Sequence, residues 1–309
     1  MSDSGWPESV DVREVGPRDG LQIEAPISTA DKIRLLDRLV ATGVRRIEAT
    51  SFVSPTAVPS LADAAQVAEH VLSLPGVQWS ALVAGPGGAR RALAAGIVDL
   101  QLVVSASDGH SLANARRSTD QALGTVAGIT ASVHDAGGRC EVVVAVAWDC
   151  PFDGPTPTAR TVSVVERAVA LGADSVCLAD TIGTASPARV SDLVAAVRRA
   201  VPHVPLGAHF HDTRGMGMAN ALTAERLGVT SLDASIGGMG GCPFAPGASG
   251  NITTEELVYL LDDAGVRTGI DLGAALDAAR LAQELVGHPL DSALLRAGGR
   301  SVPSGRRDN

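Results

Sequence analysis

The segment Pro205-Leu206-Gly207-Ala208-His209-Phe210-His211-Asp212 closes a short apolar run with two histidines one residue apart. Side chains alternate along an extended strand, so His209 and His211 share one face and Phe210 takes the other. Two imidazoles on one face can grip one metal ion. A lone histidine more often just bonds backbone, but a His-x-His pair at a strand end asks what else completes the site. Asp19 offers a carboxylate. Two nitrogens and one oxygen suit Mg²⁺, Mn²⁺, Co²⁺ or Zn²⁺, and geometry decides among them.

Asp19 lies in Gly16-Pro17-Arg18-Asp19-Gly20, a string of good turn composition. The pair Arg18-Asp19 can be a plain surface ion pair. Its chemical alternative is a carboxylate on the metal with a guanidinium on the substrate. A second segment, Gly237 to Asn251, contains six glycines, two prolines and one thiol, Cys242. It is no P-loop, because no Gly-Lys-Ser/Thr follows. A cysteine is commonly a buried small hydrophobe. On a glycine-rich lid over a metal site, a thiol could instead move a proton.

These residues need a scaffold that brings distant segments together. Eight short apolar runs can supply it: Val10–Val15, Arg46–Phe52, Val77–Val83, Asp99–Ser105, Cys140–Ala147, Ser175–Ala179, Leu206–His211 and Ser231–Ile236. Continuous apolar strands suit a parallel sheet buried on both faces. Helical patterns separate them. In the first, Ser28-Thr29-Ala30-Asp31 has the form of an N-terminal cap, Ile33, Leu36, Leu39 and Val40 form an apolar face, and Gly43 suits the stop. Eight strand–helix units predict an α/β chain forming a single (β/α)₈ TIM barrel with an extra C-terminal helical segment, about Ala274–Val286. An open doubly wound sheet is the runner-up. The barrel is preferred because polar residues end many of the strands, as a ring of catalytic loops requires. The barrel is expected over residues 8–290, with 1–7 and 291–309 as flexible tails.

Bulk properties agree. Hydrophobic residues at 45% against 19% charged allow a sizeable core. No apolar run approaches the roughly 18 residues of a membrane span, and the N-terminus has no signal-peptide pattern. Four cysteines without CxxC spacing fit a reducing cytoplasm. A net charge of −9 argues against nucleic acid as a partner, while leaving room for an anionic small molecule met by local arginines.

The strings VREVGPRDGLQ, IEATSFVSP, LADTIG, HFHDTRG and GGMGGCPFAPGASGNITTEELVYLL resemble the 3-hydroxy-3-methylglutaryl-CoA lyase family, from about Val10 to Leu272. The glycine-loop string is specific to the lyase branch. Related synthases carry His-Asn-Asp after the histidine pair, where this chain has His211-Asp212-Thr213. The resemblance implies Asp19, His209, His211 and Asn251 as metal ligands, Arg18 on the thioester carbonyl, and Cys242 as the catalytic lid cysteine. Glu48, Asp180 and Glu255 match acidic positions near the site, and Asn114 a loop asparagine near the acyl group. Gln22 and Thr181, beside these motifs, complete the expected substrate-binding set. The oxygen ligands favour Mg²⁺ or Mn²⁺ over a structural zinc. The implied reaction is retro-Claisen cleavage of an acyl-CoA substrate to acetyl-CoA and acetoacetate by a homodimer. The alternatives are a lyase or condensing synthase acting on a different 3-hydroxyacyl-CoA, and a non-catalytic barrel. Departures from the family pattern at Ala57, Trp148, Arg214 and Met216 are expected to include residues that line the acyl pocket and alter its choice of substrate.

Overall fold

Each of the eight apolar runs forms a strand. The computed structural model describes residues 6–241 and 250–300. The barrel strands are β1 (Asp11–Glu14), β2 (Arg46–Ser51), β3 (Gln78–Val83), β4 (Asp99–Ser105), β5 (Cys140–Ala145), β6 (Ser175–Asp180), β7 (Leu206–Phe210) and β8 (Ser231–Ala234). All pair in parallel. The order is β1-β8-β7-β6-β5-β4-β3-β2, and β1 bonds to both β8 and β2, so the sheet has no edge. That closure excludes the open doubly wound sheet.

The local chemistry explains the elements. Strand β5 is buried at every position, as a strand covered by helices on one face and barrel interior on the other must be. The first helix, Thr29–Val40, starts where Ser28 Oγ accepts the Asp31 N–H at 3.1 Å. It buries Leu35, Leu36 and Leu39 against the sheet, each worth about 1.5–3 kcal/mol when fully buried. Leu36→Ala would therefore cost about 2–5 kcal/mol. Gly43 then turns the chain with φ +87°, a conformation that disfavours side chains. Lys32, the chain's single lysine, bonds Ser60 O and the Asp63 carboxylate, both at 2.5 Å, and serves structure.

Three features depart from the expected outline. The segment Gly16–Gly20 is one wide helical turn and carries Arg18 and Asp19, both buried. A small hairpin, Asp149–Cys150 with Gly154–Pro155, follows β5. The segment after residue 290, expected as a tail, contains a helix at Ala293–Ala297. Ser292 is fully buried there, and the Ala293 N–H donates to the Glu256 carboxylate. Those polar contacts, with Leu295 packed on the core, hold a helix too short to show an apolar period. The extra helix itself spans Leu272–Val286. No helix among the described residues is long and apolar enough to cross a membrane.

The barrel interior is two-sided. Strands β7, β8, β1 and β2 are contiguous and contribute His209, Asp233, Arg13 and Glu48, joined in one ion-pair network with Arg18 and Asp19. Strands β3 to β6 are equally contiguous, and Glu141 on β5 reaches Arg13 of the network from that half. At the level of the mouth they present Leu82, Val103, Val143, Ala145 and Ala179 to the cavity. Val103, Val143 and Ala179 pack with Cys177 as an apolar patch of their own, separate from the main core.

Candidate active site

Strand alternation puts His209 and His211 on one face, and the wide turn after β1 swings Asp19 over them. His209 Nε2 and His211 Nε2 are 3.2 Å apart. Asp19 Oδ2 lies 3.8 Å from the first and 3.5 Å from the second. A point about 2 Å from all three atoms therefore exists, which is the distance at which divalent ions sit from oxygen and imidazole ligands. All three residues are buried. Two ring nitrogens facing each other beside a carboxylate, with no hydrogen that could satisfy all three, form a donor set that fits a cation.

Asn251 joins this group. Its Nδ2 donates to Asp19 Oδ2 at 2.8 Å and to Met239 O at 3.0 Å. Its Oδ1 is buried without a partner among the described residues, as is His211 Nδ1. Close approach of the loop depends on Gly240, at φ +119°, where a Cβ would meet Asn251 Nδ2 at 2.5 Å.

Charge supports the same fit. The connected network holds two guanidiniums, Arg13 and Arg18, against four carboxylates, Asp19, Glu48, Glu141 and Asp233. A buried excess of two formal negative charges is costly, and one divalent cation would balance it. Burial pushes the Asp19 carboxyl up, but the Arg18 guanidinium, His211 and His209 outweigh it and hold the group well below the usual carboxylate range. Burial alone would lower the His209 imidazolium; bonding to Asp233 and the charge of Asp19 raise it. Burial raises Glu48 despite its pairing with Arg18.

Arg18 is held at two corners. Glu48 Oε2 accepts from its Nε and Asp19 Oδ1 from its Nη1, both at 2.5 Å. Its Nη2 has no protein acceptor among the described residues. Glu48 thus orients Arg18 within the site.

The site opens into a cavity of about 1210 Å³. Arg18, Asp19, Glu48, His209 and His211 line it, with Gln22, Asn114 and Thr181. Asp180 and Glu255 do not. Asp180 caps the backbone N–H groups of Thr184 and Ala185, each at 3.0 Å. Glu255 accepts the Gly237 N–H at 3.0 Å and so anchors the root of the glycine-rich loop. Both carboxylates bond backbone N–H groups in this structure. Cys242 lies outside the described residues. Of the four departures from the family pattern, Ala57 alone lines the cavity. Arg214 donates to Ile182 O and Gly183 O, at 2.9 and 3.1 Å. Trp148 packs against Phe210, with ring centroids 5.6 Å apart, and Met216 is exposed.

Sequence reasoning missed Asp233, whose Oδ2 accepts from His209 Nδ1 at 3.1 Å. It missed Arg13 and Glu141 below it, and His110, a cavity-lining residue bonded to Ser105 Oγ at 2.7 Å. Burial holds His110 down at about 4, so its ring is neutral near pH 7. It also missed Arg91 and Arg117, which line the mouth with Arg116. Asp233, next to last in β8, and Glu141 in β5 share a readable signal: an acid in an apolar strand.

Known proteins carry the same architecture and sequence. The chain is 38% identical to hydroxymethylglutaryl-CoA lyase YngG of Bacillus subtilis, over 93% of this chain and 96% of that one. It is 39% identical to (R)-citramalyl-CoA lyase of Chloroflexus aurantiacus, over 94% and 95%. An HMG-CoA lyase from Acinetobacter baumannii, solved in complex with coenzyme A and 3-methylmalate, superposes with a TM-score of 0.90 at 39% identity, covering 98% of this chain and 100% of that one. The HMGL-like family model matches residues 9–282, a span that includes all eight barrel strands and Asp19, His209 and His211, and the chain belongs to the HMGL-like family.

Proposed function

We propose that this protein is a divalent-metal-dependent carbon–carbon lyase that cleaves 3-hydroxy-3-methylglutaryl-CoA to acetyl-CoA and acetoacetate. The observation that carries the reading is the triangle of Asp19, His209 and His211 with the Arg18 guanidinium bonded to its acidic corner. The relatives named as lyases of acyl-CoA thioesters supply the reaction type.

Asp19, His209 and His211 would hold the ion, with Asn251 beside them. Mg²⁺ or Mn²⁺ bound there would acidify the tertiary C3 hydroxyl of the substrate. Asp19 is the nearest carboxylate to accept its proton. The same Arg18 pairing that keeps Asp19 ionised makes it a weak acceptor, so transfer depends on that acidified hydroxyl. The C2–C3 bond then breaks, its electron pair moves to the thioester carbonyl, and a ketone leaves. Arg18, held by Glu48 and Asp19, meets the enolate oxygen; such preorganised donors are worth about 3–4 kcal/mol. Cys242 returns a proton to the enolate carbon. The apolar wall of β3–β6 faces the acyl group, and the arginines at the mouth suit the phosphates of CoA. The reading carries with it Gln22, Asn114 and Thr181 as substrate contacts, and a homodimer in the bacterial cytoplasm.

A second reading has its own support: the citramalyl-CoA lyase is as similar as the hydroxymethylglutaryl-CoA lyase. Its substrate carries a carboxylate directly on C3, so the same bond cleavage would release pyruvate. The test is incubation of purified protein and Mg²⁺ or Mn²⁺ with each thioester. Acetoacetate from 3-hydroxy-3-methylglutaryl-CoA is the expected product. Pyruvate from citramalyl-CoA with no acetoacetate would overturn the first reading in favour of the second.

A further inference from the structure

We infer that Arg13 is a positioning residue for the metal centre, acting through Asp233 on His209. The inference rests on the metal reading above and extends it below the ligands.

Arg13 on β1 and Asp233 on β8 stand in register across the seam that closes the barrel. Two bonds join them, Nε to Oδ1 at 2.8 Å and Nη2 to Oδ2 at 2.9 Å. A planar guanidinium meeting a planar carboxylate at two points fixes the plane of that carboxylate. Oδ2, fixed in this way, accepts from His209 Nδ1 at 3.1 Å. With its proton on Nδ1, the ring presents Nε2 to Asp19 and His211. A ligand imidazole held from behind by a carboxylate is fixed in tautomer and orientation. His211 has no such support, since its Nδ1 lacks a partner among the described residues. His209 is therefore the oriented ligand, and Arg13 sets its orientation from one residue further back.

The lower end of Arg13 is fixed as firmly. Glu141 Oε1 accepts from Nη1 at 2.5 Å. The Gln101 amide, turned with its oxygen toward Arg13, adds an acceptor at 2.8 Å. Arg13 is only 2% exposed. Buried ion clusters of this kind stabilise little compared with apolar side chains of the same volume. Geometry therefore accounts for this cluster better than stability does. A lysine at 13 would keep the charge and lose the fork.

The experiment is Mn²⁺ titration of the metal-stripped full chain by calorimetry, with melting curves alongside. Arg13→Lys is expected to bind Mn²⁺ about 10–100-fold more weakly, the range seen when such supporting partners are lost. Asp233→Asn should weaken binding similarly, and the double variant should lose little more, because both substitutions break one chain of contacts. Where Arg13→Lys does not fold, Arg13→Met combined with Glu141→Gln removes the charge pair together and should show the same weakening. Wild-type protein that fails to bind Mn²⁺ would sink the metal reading itself. Wild-type affinity in the Arg13 variants would overturn this inference alone. Failure of both Arg13 variants to fold would overturn it as well, assigning Arg13 to the fold.

Discussion

Asn251 Nδ2 lies 2.8 Å from Asp19 Oδ2, which ties the turn after β1 to the far end of the glycine-rich loop across 232 residues of sequence. The two residues meet because the barrel closes: β1 and β8 are neighbours, so the loops that follow them share one mouth.

Asp19 should therefore be the least replaceable residue of the centre. Asp19→Asn is expected to lower turnover by at least about 10²–10³-fold and to weaken Mg²⁺ or Mn²⁺ binding. His209→Ala should do the same. Steady-state kinetics with a metal titration checks both, and near-normal activity of either would remove the metal assignment.

Gly240→Ala tests the loop without altering a ligand. Its Cβ would collide with Asn251 Nδ2, and its φ of +119° disfavours any side chain. Metal affinity should fall about 10–100-fold with most of the melting temperature retained. Calorimetric titration reads it directly; an unchanged affinity would mean that Asn251 is not needed at the metal.

Cys242→Ser should lose most activity and keep the metal, because the thiol's role is proton transfer. Metal content measured after gel filtration distinguishes the outcomes. Loss of the metal in this variant would make the segment structural.

Glu14 predicts a pH effect on stability. Burial pushes its carboxyl from 4.5 up to about 7, against hydrogen bonds from Thr254, Ile236 and Gly16 that lower it. The folded state keeps a proton that the unfolded chain releases above 4.5. This contribution is complete below 4.5 and is lost as pH rises through about 7. A glutamine can keep the contacts, its oxygen accepting from Gly16 and Ile236 and its amide donating to Thr254. Glu14→Gln should therefore melt above wild type at about pH 8 and lose the advantage at about pH 5. Parallel melting curves across that range would count against it.

The legible parts of this protein were the local ones. All eight strands declared themselves as short apolar runs, most of them rich in Val, Ile or Leu, and the period of two put His209 and His211 on one face. The pairing of Arg13 with Asp233 was illegible because it is a matter of register between the first strand and the last. Nothing near either residue says that the other is there. Asp180 and Glu255 show the opposite problem. An acid beside a strand end can meet a ligand or cap a backbone, and the choice lies in the path of the following loop. Arg214 was singled out for substrate choice, yet its guanidinium faces carbonyls of the neighbouring loop. A long side chain reaches wherever the nearest unsatisfied acceptor stands, and sequence does not say where that is.

The two-sided interior has a consequence for how such a catalyst can change. The chemistry depends on one half of the stave ring, β7, β8, β1 and β2, and the shape offered to the acyl group on the other half, β3 to β6. Val103, Val143, Ala145 and Ala179 line the cavity and carry no charge of the ion-pair network. A lineage could thus resize the chamber one residue at a time while cleavage continued to work, and new thioesters could be adopted without an inactive intermediate. That separation makes the apolar half the place to redesign this barrel for a different substrate.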